Sequence, residues 1–238
     1  MARVCRWAYL GRVAYEAGLR LQRALAEAVS AGADDVLLLL EHPPVITLGR
    51  RASRADILVD PAALAARGIA VYETNRGGLV TYHGPGQLVG YPIAALRALT
   101  GGDVVRYVWG LEEALIRTLA TLGIAAGRHP QHRGVWVGDA KIGAVGVAIS
   151  RGVTMHGFAL NLQPELAHFA LIRPCGLAGQ PVTSVAALRG YAVALPVAAT
   201  LVATALGAVF DWEMVPVAPA HLWAAALERP ASLPAGRP

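Results

Sequence analysis

The chain alternates between segments with a helical apolar period and apolar runs too short for anything but strands, and this alternation most constrains its fold. Helical spacing covers residues 13–30 and 104–122, the second with Asp103 as its N-cap. It returns near 183–188, with Thr183 or Ser184 as the cap, and at 196–207. Strand-length runs fall at 36–40, 45–48, 69–73, 79–82, 87–93, 134–137, 142–149 and 154–162, with Pro43-Pro44 turning the chain between the first two. Helices interleaved with strands of hairpin length predict an α/β fold, a single domain with a mixed β-sheet flanked by helices. At 238 residues the chain is long enough for a sizeable core. No repeat or linker divides it, so the expected domain spans 1–228, and a Pro/Gly/Ala tail at 229–238 is expected to fray.

Composition removes some function classes. With 55% hydrophobic and 16% charged residues and a mean hydropathy of +0.46, the chain is not intrinsically disordered. The uncharged stretch 191–210 contains Pro196, Thr200, Thr204 and Gly207. Read as a helix starting at Pro196, it falls short of the ~20 residues a bilayer needs. It is expected to be a buried amphipathic helix with Val197, Leu201 and Leu206 on its inward face. The N-terminus has no apolar signal region, and two cysteines are too few for a disulfide framework, so the expectation is a cytoplasmic protein with no membrane association. The net charge of +5 and pI near 9.6 prompt a search for a nucleic-acid surface. Only Arg50, Arg51 and Arg54 cluster, without interleaved aromatics, which points to an acidic protein partner and no nucleic acid.

Of the 21 basic residues, 20 are arginine and one, Lys141, is lysine. Lysine can give up its proton in a protein and arginine cannot. Lys141 opens the apolar run Ile142-Gly143-Ala144-Val145-Gly146, where partial desolvation favours the neutral, basic form. The segment Arg76-Gly77-Gly78-Leu79-Val80-Thr81-Tyr82-His83-Gly84-Pro85-Gly86-Gln87 is rich enough in glycine to bring backbone against a ligand, with Arg76 and His83 to orient polar groups. It lacks the Gly-Lys-Ser/Thr of a P-loop. His156-Gly157-Phe158-Ala159-Leu160-Asn161 reads as a strand with two polar groups. Pro174-Cys175-Gly176 presents a thiol on a stiff turn, whereas Cys5 stands in an N-terminal stretch expected to fray. His129-Pro130-Gln131-His132 has the form of half a metal site, but no ligand follows at the needed spacing, and no metal is expected.

Taken together, these segments resemble, in order and spacing, the lipoyl(octanoyl) transferases, and Glu41-His42-Pro43-Pro44-Val45-Ile46-Thr47-Leu48-Gly49-Arg50 is similar to that family's N-terminal signature. The resemblance covers residues 9–190, with Leu19 and Ile46 standing where larger aromatics are expected. It implies the fold of biotin and lipoate protein ligases and a transfer that needs no ATP and no cofactor. In that family an octanoyl group passes from the phosphopantetheine thioester of acyl carrier protein to a cysteine. It then passes to a lysine of a lipoyl domain, in 2-oxoacid dehydrogenases or the glycine cleavage H protein. By resemblance, Cys175 is the nucleophile and Lys141 lowers its pKa. The acyl site is then lined by Arg76, Gly77, Gly78, Leu79, Val80, Thr81, Tyr82, His83, Ala144, Val145, Gly146, His156, Gly157, Phe158 and Ala159. Two rivals are an ATP-dependent lipoate or biotin ligase on the same fold, which needs no thiol nucleophile, and a basic nucleic-acid-binding module.

Overall fold

Strand β2 (Asp35–Glu41) is buried along its whole length. Its four leucines alternate between two cores, Leu37 and Leu39 on one side and Leu38 and Leu40 on the other. A continuous leucine run is what a strand needs when both faces of its sheet are covered. The computed structural model describes residues 2–173 and 181–227, and there β2 lies inside a seven-stranded mixed sheet ordered β10-β1-β2-β6-β9-β8-β7. The partners are β1 (Arg3–Arg12), β6 (Gln87–Ile93), β7 (Val135–Val137), β8 (Ala140–Ser150), β9 (Val153–Asn161) and β10 (Trp212–Pro216). β1 pairs in parallel with β2 and β10, and the other pairings are antiparallel.

One face is covered by α4 (Val104–Thr121) and α6 (Leu195–Phe210), which bring Leu111, Leu115, Val202 and Leu206 against Leu88 and Leu160. The Asp103 carboxylate caps α4 by accepting from the Arg106 amide, and Ser184 caps α5 (Val185–Arg189) in the same way at Ala187. Across the other face runs α1 (Tyr15–Ser30), with α7 (Pro219–Leu227) beside it. The helices α2 (Pro61–Ala66) and α3 (Leu96–Thr100) are short connectors.

The structure corrects three expectations. The fold has a second sheet, β4-β3-β5, built from β3 (Val45–Leu48), β4 (Ala70–Glu73) and β5 (Val80–His83), with its own core around Ile46, Leu48 and Tyr82. The N-terminal stretch does not fray: it is β1, held in register by the buried Asp35 carboxylate. That carboxylate accepts two bonds from Arg3, one from Trp212 Nε1 and one from the Ala95 amide. Cys5 on this strand is fully buried, and burial, with Asp35 nearby, pushes its thiol far above the ordinary range, so it is an inert core residue. In α6 the inward face is Ala198, Ala199, Val202, Ala203 and Leu206, while Val197 is 55% exposed. Small residues set that face because α6 packs closely on α4, where Gly110 lies against Phe210. The expected tail, 229–238, lies outside the described residues. Among those described, no helix is long and apolar enough to cross a membrane.

Candidate active site

Three adjacent strands carry small residues in register. Ala159 of β9 pairs with Ala144 of β8 and Val89 of β6, and Gly157 pairs with Gly146. Because side chains alternate across a strand, these positions face the side of the sheet opposite α4 and α6 and leave a trough there. Gly157 has no room for a side chain, since a Cβ would meet the Gly90 carbonyl and stand 2.6 Å from Pro92 Cδ. The small sheet and the glycine-rich turn before β5 roof the trough, riveted by the Gly77 amide, which donates to the Val147 carbonyl at 2.8 Å.

The resulting cleft has two adjoining compartments with Arg76, Thr81, Ala144 and Val145 as common walls. The wide one has a volume of about 320 Å³, at the lower end of small-molecule sites, ~300–1,000 Å³. Lys141, Gly78, Leu79 and Val80 line it, along with Arg51, His132 and Arg133, and none of its described lining residues is acidic. The deep one is about 50 Å³, lined by Tyr15, His83, Val89, Tyr91, Gly146, His156, Gly157, Phe158 and Ala159.

Around the deep compartment several polar side chains hydrogen-bond one another. His83 Nδ1–H donates to Gln87 Oε1 at 2.7 Å; Gln87 donates to Asn161, and Asn161 to the Thr183 carbonyl. Behind it, His42 Nδ1–H donates to the Val13 carbonyl at 2.6 Å, which leaves Nε2 to accept from the Tyr91 hydroxyl at 2.7 Å. His156 has a left-handed backbone (φ 56°), and its Nε2–H donates to Asn75 Oδ1 at 2.8 Å. Burial pushes His42 and His156 down to about 4 and His83 to about 3, so all three rings are neutral near pH 7. Arg76, 8% exposed and lowered to about 10 by burial, donates to the Thr47 carbonyl at 2.6 Å, the Thr47 hydroxyl and the Gly77 carbonyl. Its donors therefore brace the turn rather than point to a ligand.

Lys141 sits at the start of β8, where its amide donates to the Pro181 carbonyl and its carbonyl accepts from the Thr183 amide, both at 2.9 Å. On the near side the chain is tied down at Arg173, whose amide donates to the Asp56 carbonyl. Pro174, Cys175 and Gly176 lie outside the described residues.

Most of the residues expected at the acyl site thus converge on one cleft. Two do not line it. Gly77 serves as the rivet, and Tyr82 turns into the small sheet's core, where its hydroxyl meets His168 Nδ1 at 2.8 Å. Sequence reasoning missed Tyr15, Val89 and Tyr91. The two-residue spacing of Gln87, Val89 and Tyr91 was the available signal, since it places them on one strand face. The rings of His129 and His132 stack at 4.7 Å, and no cluster of three or more metal-binding side chains occurs among the described residues.

Fold and cleft define an α/β domain built around one elongated ligand site, lined at one end by buried neutral histidines and apolar groups beside Arg76 and at the other by Lys141, Arg51 and Arg133. The lipoyl protein ligase A/B catalytic domain matches residues 14–207. A relative named octanoyltransferase from Solibacter usitatus is 51% identical over 215 residues, which is 90% of this chain and 96% of the relative. Another from Chloroflexus aurantiacus is 52% identical over 209 residues, 86% and 93% of the two chains. The chain belongs to the lipoyl protein ligase A/B family, among its octanoyltransferases. Solved structures agree on the fold. A lipoate-protein ligase A bound with ATP superposes with a TM-score of 0.72 at 16% identity, covering 96% of this chain and 94% of that one. A biotin protein ligase from Aquifex aeolicus gives 0.52 at 11%, covering 87% and 70%.

Proposed function

We propose that this octanoyltransferase takes its acyl group from acyl carrier protein, holds it as a thioester on Cys175, and passes it to a lysine of a lipoyl domain, beginning endogenous protein lipoylation. On this reading it works in the cytoplasm, and its acceptors are the lipoyl domains of 2-oxoacid dehydrogenases and the glycine cleavage H protein. The observation that carries the reading is the polarity of the cleft: Lys141 stands at the wide, basic end with Arg51 and Arg133, whereas the one cation lining the deep end among the described residues is Arg76, whose donors are committed to Thr47 and Gly77. An alkyl tail is stable against the apolar groups of the deep end, while its thioester carbonyl remains beside Lys141.

The chemistry follows from those positions. A thiol with a pKa near ~8.5 is mostly protonated at pH 7, and an adjacent ammonium raises the thiolate fraction. The Cys175 thiolate adds to the thioester carbonyl, and the departing pantetheine thiolate takes a proton from the Lys141 ammonium. Neutral Lys141 then accepts a proton from the incoming lysine amine as that amine displaces Cys175. Exchange of thioesters is close to thermoneutral and the final amide is more stable, so no nucleotide is consumed. The basic wide end suits an acidic carrier, since complementary charge speeds encounter.

The test is incubation with octanoyl acyl carrier protein in the absence of nucleotide, followed by intact mass. An octanoyl adduct is expected on Cys175, and Cys175→Ala should lose both adduct and transfer. Transfer that survives in Cys175→Ala, or that requires ATP, overturns the reading.

A further inference from the structure

The Lys141 side chain lies in a slot between a bare α-carbon and an aromatic face. On one side is Gly134, at φ 114°, where an added Cβ would stand 2.5 Å from the Gly143 carbonyl oxygen, 2.7 Å from Lys141 Cε and 3.4 Å from Nζ. Only a glycine leaves that space. On the other side the ammonium lies over the ring of Trp136, 5.1 Å from its centroid and inside the ~6 Å reach of a cation–π contact.

Both walls are fixed from behind. The Gly134 amide donates to Glu112 Oε1 at 2.8 Å; Glu112 is buried, and its other oxygen accepts from Arg128 Nε at 3.3 Å. Trp136 is also buried, and its backbone amide and carbonyl both pair with Gly127 at 2.8 Å. The rings of His129 and His132 pack against it with centroids at 5.1 and 6.0 Å. Trp136 is not among the described lining residues of either compartment.

The charges facing this lysine oppose one another. Arg51, Arg76 and Arg133 line the same compartment and disfavour a further positive charge. Glu112, behind Gly134, favours one, but Arg128 offsets it. Cys175 belongs to the segment outside the described residues. We infer that Trp136 is a positioning residue: its ring face keeps Lys141 aimed along the slot and in the ammonium form against the surrounding arginines. The catalytic consequence rests on the octanoyltransferase reading, since an ammonium is what sustains the thiolate and protonates the leaving group. The geometry of the slot does not.

Lys141 is the only lysine of the chain, which makes it directly observable. The full chain labelled with ε-¹³C lysine gives one side-chain resonance, whose titration reads Lys141 alone. Trp136→Leu is expected to lower its midpoint by about half a pH unit or more, and Trp136→Phe by less, because a phenyl ring retains part of the attraction. Gly134→Ala, which pushes on the stem from the other wall, should displace the resonance at fixed pH. In steady-state transfer, kcat should fall in Trp136→Leu with KM for octanoyl acyl carrier protein unchanged, and the basic limb of the kcat profile should move down with the midpoint. An unchanged midpoint in folded Trp136→Leu overturns the inference. If that variant does not fold, an unmoved midpoint in Trp136→Phe together with an unmoved resonance in Gly134→Ala does the same. If the titration shifts as expected but the wild-type chain transfers no octanoyl group, the slot stands and the functional reading falls.

Discussion

At the deep end of the cleft His83 and His156, with His42 behind them, are held neutral by burial, whereas at the wide end Arg51 and Arg133 are exposed to solvent. The two ends share four wall residues, Arg76 among them, and differ in the burial and charge of the other polar side chains that line them. Burial of the histidines makes one compartment fit for an alkyl tail, and the cations of the other make it fit for proton transfer and a charged partner. Two different costs follow: the wide end is sensitive to the chemistry of single side chains, and the deep end couples the fold to pH.

The largest effect should come from changing one group at the wide end. Lys141→Arg keeps a positive charge but gives a side chain that cannot return a proton. General acid–base help is typically worth ~10²–10⁴ in rate, and a loss of transfer in that range is expected. Alkylation of Cys175 by iodoacetamide near neutral pH should stay within a few-fold of wild type, because the charge that favours the thiolate is retained. If alkylation falls together with transfer, the guanidinium does not fit between Gly134 and Trp136, and position, not proton transfer, is what the lysine supplies. Transfer within a few-fold of wild type would leave only the electrostatic role.

How much of this was legible in the chain depends on the range of the interactions involved. The β6 bounds and the α4 cap were readable because alternation and a capping carboxylate act within a few residues. So was the convergence of the glycine-rich segment with Ala144–Gly146 and Gly157–Ala159, through the family resemblance. β1 and β10 were not, because their register is set by Asp35 reaching Arg3 and Trp212 across the whole length of the chain. The lining role of Tyr15 was missed for the same reason: a helix start reveals nothing about the strand it will face. Gly134 read as the first residue of a strand, and its role depends on a lysine seven positions later folding back over it.

The deep end predicts an acid-labile fold. Each of its histidines is a base whose folded pKa lies below the ordinary ~6.5. As pH falls from ~6.5, the unfolded chain binds protons that the folded protein refuses until about 4 for His42 and His156 and about 3 for His83. Stability is therefore complete above pH ~6.5 and is lost on the way down to pH ~4, with a slope of at most ~4 kcal/mol per pH unit if all three contribute. Urea unfolding at pH 7.5 and 5.5 should differ by about 2 kcal/mol or more in that direction. Equal stability at the two values means the three rings are solvated, and the contrast between the two ends disappears.

The smallest effect is expected from Arg51, and it separates the two arginines that share the wide compartment. Arg76 is buried with its donors committed to Thr47 and Gly77, so it belongs to the framework. Arg51 lines the same compartment but is exposed, which makes it a steering charge toward an acidic carrier. A charge in that position acts on encounter through solvent, where ~10 Å of screening length at 0.1 M salt limits it. Arg51→Ala should therefore raise KM for octanoyl acyl carrier protein by about two- to five-fold at low ionic strength, leave kcat unchanged, and become indistinguishable from wild type near ~0.5 M salt. A fall in kcat that persists at high salt would mean that Arg51 touches the reacting end of the substrate. The boundary between steering and chemistry would then lie farther out than Lys141.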